Sequence, residues 1–88
     1  MKIDDLALLK RILEGAIMAA ETPLSKKAIK ELFDDLECPS DELITQALEQ
    51  LAEACEERGY ELKQVASGYR FQVKQDLSRW IGKLWKEK

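Results

Sequence analysis

DELITQALEQLAEACEER, residues 41–58, decides how this chain is read. Ile44, Ala47, Leu48, Leu51 and Cys55 recur at three- and four-residue steps, the spacing of one apolar stripe on an α-helix. Ser40 followed by Asp41 and Glu42 is a helix start signal, and Gly59 is expected to stop the run as a left-handed C-terminal cap. At about 100° per residue, Glu42, Glu49, Glu53, Glu56 and Glu57 gather around Gln46 on the opposite, solvent side. The segment holds six acids and one base. Like charges four apart, such as Glu49 with Glu53, mildly destabilise a helix. That face is either an ordinary hydrated surface or one shaped for a partner.

Two helices are expected upstream. The first runs from Asp4 or Asp5 to Ala20, with Leu6, Leu9, Leu13, Ala16, Ile17 and Ala20 as its core stripe. Leu8 and Ile12 widen that stripe, while Ala7 and Met18 share a side with Arg11 and Glu14. This is more apolar surface than one core needs. It reads either as scattered surface residues, which are normal, or as a second interface formed by Ala7, Leu8, Arg11, Ile12 and Met18.

Pro23 then excludes helix at the residue before it, and Ser25 is suited to cap a second helix. Ala28, Ile29, Leu32, Phe33 and Leu36 are its expected buried face. Lys26, Lys27 and Lys30 crowd its first turns and Asp34 and Asp35 its end, an order that opposes the helix dipole at about 0.3–1 kcal/mol per exposed group. Either the lysines form a basic patch for an acidic partner or phosphate, or they are a solvated face with Lys27 paired to Glu31.

Downstream lies a hairpin. Tyr60, Leu62 and, after a change of parity that suggests a bulge, Val65 mark one strand. Tyr69, Phe71 and Val73 alternate with Arg70, Gln72 and Lys74 in the other, with Ser67 and Gly68 as the turn. Asp76 is placed to cap a last helix whose apolar side is Leu77, Trp80, Ile81, Leu84 and Trp85. Trp80 is expected to seal the core, and Trp85 to stand partly uncovered beside Lys83, Lys86 and Lys88, which suggest continuing helix or linker.

Helix, helix, helix, hairpin, helix is the order of a winged helix-turn-helix, an α+β fold that is mostly helical. A third helix that reads a major groove supplies donors for base edges and cations for phosphates. Here it supplies carboxylates. A wing that enters a minor groove brings cations at its tip, and Ala66, Ser67 and Gly68 have none. The residues therefore point to a winged helix used for protein contacts.

Composition narrows the functional classes. Eighty-eight residues fit one small domain with a single core. No apolar run reaches membrane-spanning length, and the opening MKIDDLALLK has no secretory signal pattern, so a cytoplasmic protein without membrane contact is expected. A net charge of −3 disfavours nonspecific attraction to nucleic acid but leaves room for local basic patches. There is no histidine, Cys38 and Cys55 lack CxxC spacing, and the four glycines are isolated. No metal, cofactor, small-molecule substrate or catalytic activity is expected.

The stretch RILEGAIMAAETPLS (residues 11–25), then RGYEL (58–62) and GYRFQV (68–73), resembles the N-terminal winged-helix domain of the segregation and condensation protein B family, ScpB. Order and spacing together carry the likeness. It implies a homodimer that binds the kleisin ScpA and, through it, an SMC ATPase, in a bacterial condensin-like complex associated with the nucleoid. It also implies that residues 1–88 are one winged-helix domain, an N-terminal fragment of a longer two-domain protein. Protein-interface candidates are then Ala7, Leu8, Arg11, Ile12, Met18 and Trp85. The alternative is a DNA-binding regulator in which Lys26, Lys27, Lys30, Lys63, Arg70 and Lys74 meet the backbone.

Overall fold

The computed structural model describes residues 3–85, so Lys86 and Lys88 lie outside the described residues. The elements are α1 (Leu6–Ala19), α2 (Lys26–Lys30), α3 (Asp41–Ala54), β1 (Tyr60–Val65), β2 (Gly68–Val73), a 3-10 turn (Gln75–Leu77) and α4 (Ser78–Trp85). This is the expected winged-helix order.

Three helix starts are fixed by side-chain oxygens that satisfy backbone donors of the first turn. The amides of Ala7 and Leu8 donate to Asp5 Oδ1 at 3.0 and 3.3 Å. Those of Ala28 and Leu43 donate to Ser25 Oγ and Ser40 Oγ, each at 3.1 Å. Leu9, Leu13 and Ile17 of α1 pack against Ile44, Ala47, Leu48 and Leu51 of α3, with Ile29 of α2 closing the cluster. Every apolar position expected on the inner face of α3 is buried, Cys55 included. The hairpin covers this core through Leu62, Tyr69 and Phe71.

The second helix departs from expectation. After Lys30 the chain tightens: the amides of Leu32 and Phe33 donate to the carbonyls of Ile29 and Lys30, three residues back, at 3.0 and 3.2 Å. Three residues per turn do not keep a 3.6-residue stripe in phase. Phe33 still reaches the core, but Leu32 is 48% and Leu36 79% exposed.

The C-terminal end of α3 also differs. Gly59 is not in the left-handed region, since among the described residues the positive-φ glycine is Gly68. Instead the last turn unwinds through short turns, and Lys74 Nζ donates to the carbonyls of Cys55 and Glu56 at 2.6 and 2.8 Å. A cation from β2's exit thus meets the negative end of α3, at the carbonyl of its cap Cys55, which also accepts from Arg58 N at 2.9 Å, and at that of Glu56 just beyond.

The hairpin is regular. Its register runs unbroken from Tyr60↔Val73 to Val65↔Gly68, so there is no bulge, and Val65 lies on the face opposite Leu62. The two-residue loop is Ala66-Ser67, and Gly68 opens β2 with φ 142°. Glycine is required there, because a Cβ would stand 2.4 Å from the Leu24 carbonyl carbon and 2.6 Å from its oxygen. That crowding comes from a bridge that ties the wing to the turn after α1: Leu24 N donates to Tyr69 O at 2.8 Å and Tyr69 N to Leu24 O at 2.9 Å.

Asp76 does not cap the last helix. The 3-10 turn comes first, with Lys74 at its N-terminal boundary and no side-chain cap, since an ammonium has no acceptor to offer the first-turn amides. Following this turn, α4 packs chiefly on it. Trp80 is 59% exposed rather than sealing the core, and Leu84 and Trp85 are 76% and 68% exposed. The molecule measures 49 × 24 × 19 Å, and its radius of gyration is 14.8 Å. A compact chain of this length would have about 12 Å.

Candidate interaction surfaces

Three surfaces emerge from this framework. On α1, the core stripe Leu9, Leu13, Ile17 leaves Ala7, Arg11 and Met18 close to one line on the far side, all exposed. Leu8, exposed, and Ile12, half-buried, lie on the flank between them. Trp85 stands well apart in chain order, on α4, beside a shallow cleft of about 340 Å³ lined by Gln72, Val73, Lys74, Gln75 and Ser78.

The second surface is the outer face of α3. Glu42, Glu49, Glu53 and Glu56 are all exposed, and none forms an ion pair among the described residues. Beside them runs a groove between α3 and the hairpin. Its upper part, about 380 Å³, is lined by Thr45, Leu48, Glu49, Ala52, Leu62 and Tyr69. Its lower part, about 390 Å³, continues past the shared Ala52 and Leu62 to Glu53, Glu56, Glu61 and Lys74. Apolar side chains floor the groove and carboxylates stand along its lip. Sequence periodicity could not foresee it, since the groove depends on where the hairpin docks.

The third set is the cations that would serve a nucleic-acid backbone. Lys30 pairs with Asp41, and Lys26 Nζ donates to Thr45 Oγ1 at 2.9 Å, so two lysines of α2 are tied to the first turns of α3. The expected Lys27–Glu31 pair does not form among the described residues. The hydrogen bond between Lys30 and Asp41, with their charge attraction behind it, raises the lysine above its ordinary pKa and lowers the aspartate below its own. Lys74 is committed to α3, and Arg70 donates through Nε and Nη2 to Gln72 Oε1 at 3.2 and 3.1 Å. Lys63 faces Arg70 across the ladder. Lys27 and Lys63 remain exposed without a partner among the described residues.

Chemistry of other kinds finds little here. No group of three or more His, Cys, Asp or Glu side chains suited to a metal occurs among the described residues, and Cys38 and Cys55 are free thiols. No helix among the described residues is long and apolar enough to cross a membrane.

Three helices, a two-stranded wing bridged to the turn after α1, and a trailing helix define a winged helix whose third helix is acidic on its outer face. Residues 11–88 match the family model described as segregation and condensation complex subunit ScpB, and the chain belongs to that family. Its members are part of the machinery of chromosome segregation and condensation. A curated relative, the segregation and condensation protein B homolog of Coxiella burnetii (strain RSA 493 / Nine Mile phase I), is 40% identical over 79 residues, 90% of this chain and 38% of its own length. The fold is shared with the crystal structure of ScpB from Mycobacterium tuberculosis at TM-score 0.75, 22% identity, and coverage of 92% of this chain and 49% of that one. A conserved hypothetical protein from Chlorobium tepidum gives TM-score 0.77, 20% identity, and coverage of 92% and 50%. The chain thus spans half or less of the length of each of these relatives.

Proposed function

We propose that this chain is the N-terminal winged-helix domain of a two-domain, non-catalytic subunit of an SMC–kleisin complex. It acts by forming homodimers and by binding the kleisin ScpA, which links it to the SMC ATPase, in the cytoplasm at the nucleoid. The observation that carries the reading is the charge on α3. A winged helix that reads DNA presents cations there, and this one presents Glu42, Glu49, Glu53 and Glu56. The α1 patch of Ala7, Leu8, Arg11, Ile12 and Met18, together with Trp85, offers the apolar contact area such a subunit requires.

The DNA-binding reading is weakened by the engagement of Lys26, Lys30, Arg70 and Lys74 within the fold. Capture of the intact protein from cytosol, with mass spectrometry of what accompanies it, tests the proposal. Recovery of an SMC ATPase and its kleisin is expected. Failure to recover either, together with duplex DNA binding whose logarithm falls with a slope of about −0.9 per neutralised phosphate against log salt, would replace it with the regulator.

A further inference from the structure

Two features of the fold lack partners, and their chemistry is complementary. The first is α4. Trp80, Ile81, Leu84 and Trp85 form one apolar stripe, yet no residue of this helix is buried. Arg79 and Lys83 stand four apart on its flank, and the Arg79 guanidinium lies 5.3 Å from the centre of the Trp80 ring. No acidic residue occurs between Ser78 and Trp85. The second is the groove between α3 and the hairpin, floored by Leu48, Ala52, Leu62 and Tyr69. Its lip carries Glu49 and Glu53, also four apart, with Glu56 one turn further on.

We propose that α4 of one copy of this chain lies in the groove between α3 and the hairpin of a second copy, and that the exchange is reciprocal. The proposal rests on the homodimer reading above and assigns it an interface distinct from the α1 patch. Length supports the fit: the 8 residues of α4 rise about 12 Å, and α3 from Thr45 to Ala54 rises about 15 Å. Charge supports it as well. The groove's acids find Arg79 and Lys83 on the incoming helix, while Lys74, the cation that lines the groove, already has its ammonium on the carbonyls of Cys55 and Glu56.

The sparse packing of α4 on its own chain favours a contact between copies. The helix follows Lys74 and the 3-10 turn and packs chiefly on that turn, with Trp85 beside the cleft at the hairpin exit rather than against its own α3. Reciprocity matters for closure. A one-way contact would leave each copy with a free helix and a free groove and would propagate as a filament, whereas mutual exchange closes as a two-fold dimer. It also doubles the aromatic surface removed from water, since each copy inserts two indoles.

Charge exchange between variants of the full chain tests this in sedimentation equilibrium. Arg79→Glu with Lys83→Glu, and separately Glu49→Lys with Glu53→Lys, each weakens self-association by about tenfold or more. All four positions are on the surface, and circular dichroism confirms that both variants fold. Mixing the two variants restores a mixed dimer, because each copy's helix then meets a groove of opposite charge, and the indole emission shifts to the blue as in the wild type. Self-association unchanged in either variant, or a mixture that stays monomeric, overturns the exchange. If those variants dimerise normally while Leu8→Asp with Met18→Asp abolishes the dimer, the exchange fails and the homodimer reading stands. A wild type that is monomeric at high micromolar concentration overturns both, and kleisin capture then tests what is left of the proposed function.

Discussion

Gly68→Ala is the sharpest test of how the wing is held. The glycine sits at φ 142°, where an L side chain is rarely found, and a Cβ built there falls 2.4 Å from the Leu24 carbonyl carbon and 2.6 Å from Ser25 N. Those neighbours are backbone and cannot swing aside as a long side chain does. The methyl group therefore forces the Leu24–Tyr69 bridge apart or the hairpin turn out of shape. Loss of the bridge removes two hydrogen bonds at about 0.5–1.5 kcal/mol each, and a strained backbone position adds about 1–3 kcal/mol. The sum, about 2–6 kcal/mol, is a large part of the 5–15 kcal/mol expected of a small domain.

Urea unfolding followed by circular dichroism measures this loss, and amide exchange at Leu24 and Tyr69 shows whether the bridge has opened. Gly15→Ala is the control: nothing lies within 4 Å of a Cβ at that site in α1, so the substitution stabilises by about 0.5–1 kcal/mol. A Gly68→Ala protein within about 0.5 kcal/mol of wild type, with both amides still protected, would refute the account of the bridge.

The other predictions concern charge and packing. Lys74→Met removes the ammonium from the carbonyls of Cys55 and Glu56 and costs about 1–3 kcal/mol in thermal or urea unfolding, with the last turn of α3 exchanging faster. Leu13→Ala, at a fully buried site, costs about 2–5 kcal/mol, whereas Leu36→Ala stays within about 0.5 kcal/mol by the same measurement. The Lys30–Asp41 pair sets a pH window. Asp41 is lowered, so its contribution is present above the ordinary aspartate pKa and fades as pH falls through its own lower value. Lys30 is raised, so its contribution is present below the ordinary lysine pKa and is lost as pH rises through its higher value. Lys30→Met therefore moves the Asp41 titration upward, read by NMR of its side chain.

Helix existence, the α1 and α3 core faces and the serine and aspartate caps were all legible in the chain, because each depends on neighbours three or four residues away. The acidic outer face of α3 followed from the same geometry. What sequence could not supply was set by contacts distant along the chain. Leu32 and Leu36 keep helical spacing, but the segment after Lys30 tightens to three residues per turn and leaves them outside. Gly59 is a plausible cap until Lys74, on the far side of the hairpin, takes the carbonyls of Cys55 and Glu56. Gly68 looked like part of a turn, yet its real constraint is the Leu24 backbone. The positions of Ala7, Leu8, Arg11, Ile12 and Met18 around α1 were readable because one helix carries them, while the groove beside α3 needs two elements and had no local signature. Trp80 was misplaced for the converse reason: amphipathic spacing reveals that a helix has an apolar side, not what it meets.

Lys74 links two events that look unrelated. Its side chain holds the end of α3, and its backbone starts the 3-10 turn from which α4 departs. One residue therefore serves two elements: its side chain closes the end of α3 and its backbone, held by Gly59 O, opens the turn that leads to Trp80 and Trp85. A substitution at position 74 consequently bears on two places at once, the end of α3 and the approach to the segment that carries Trp80 and Trp85.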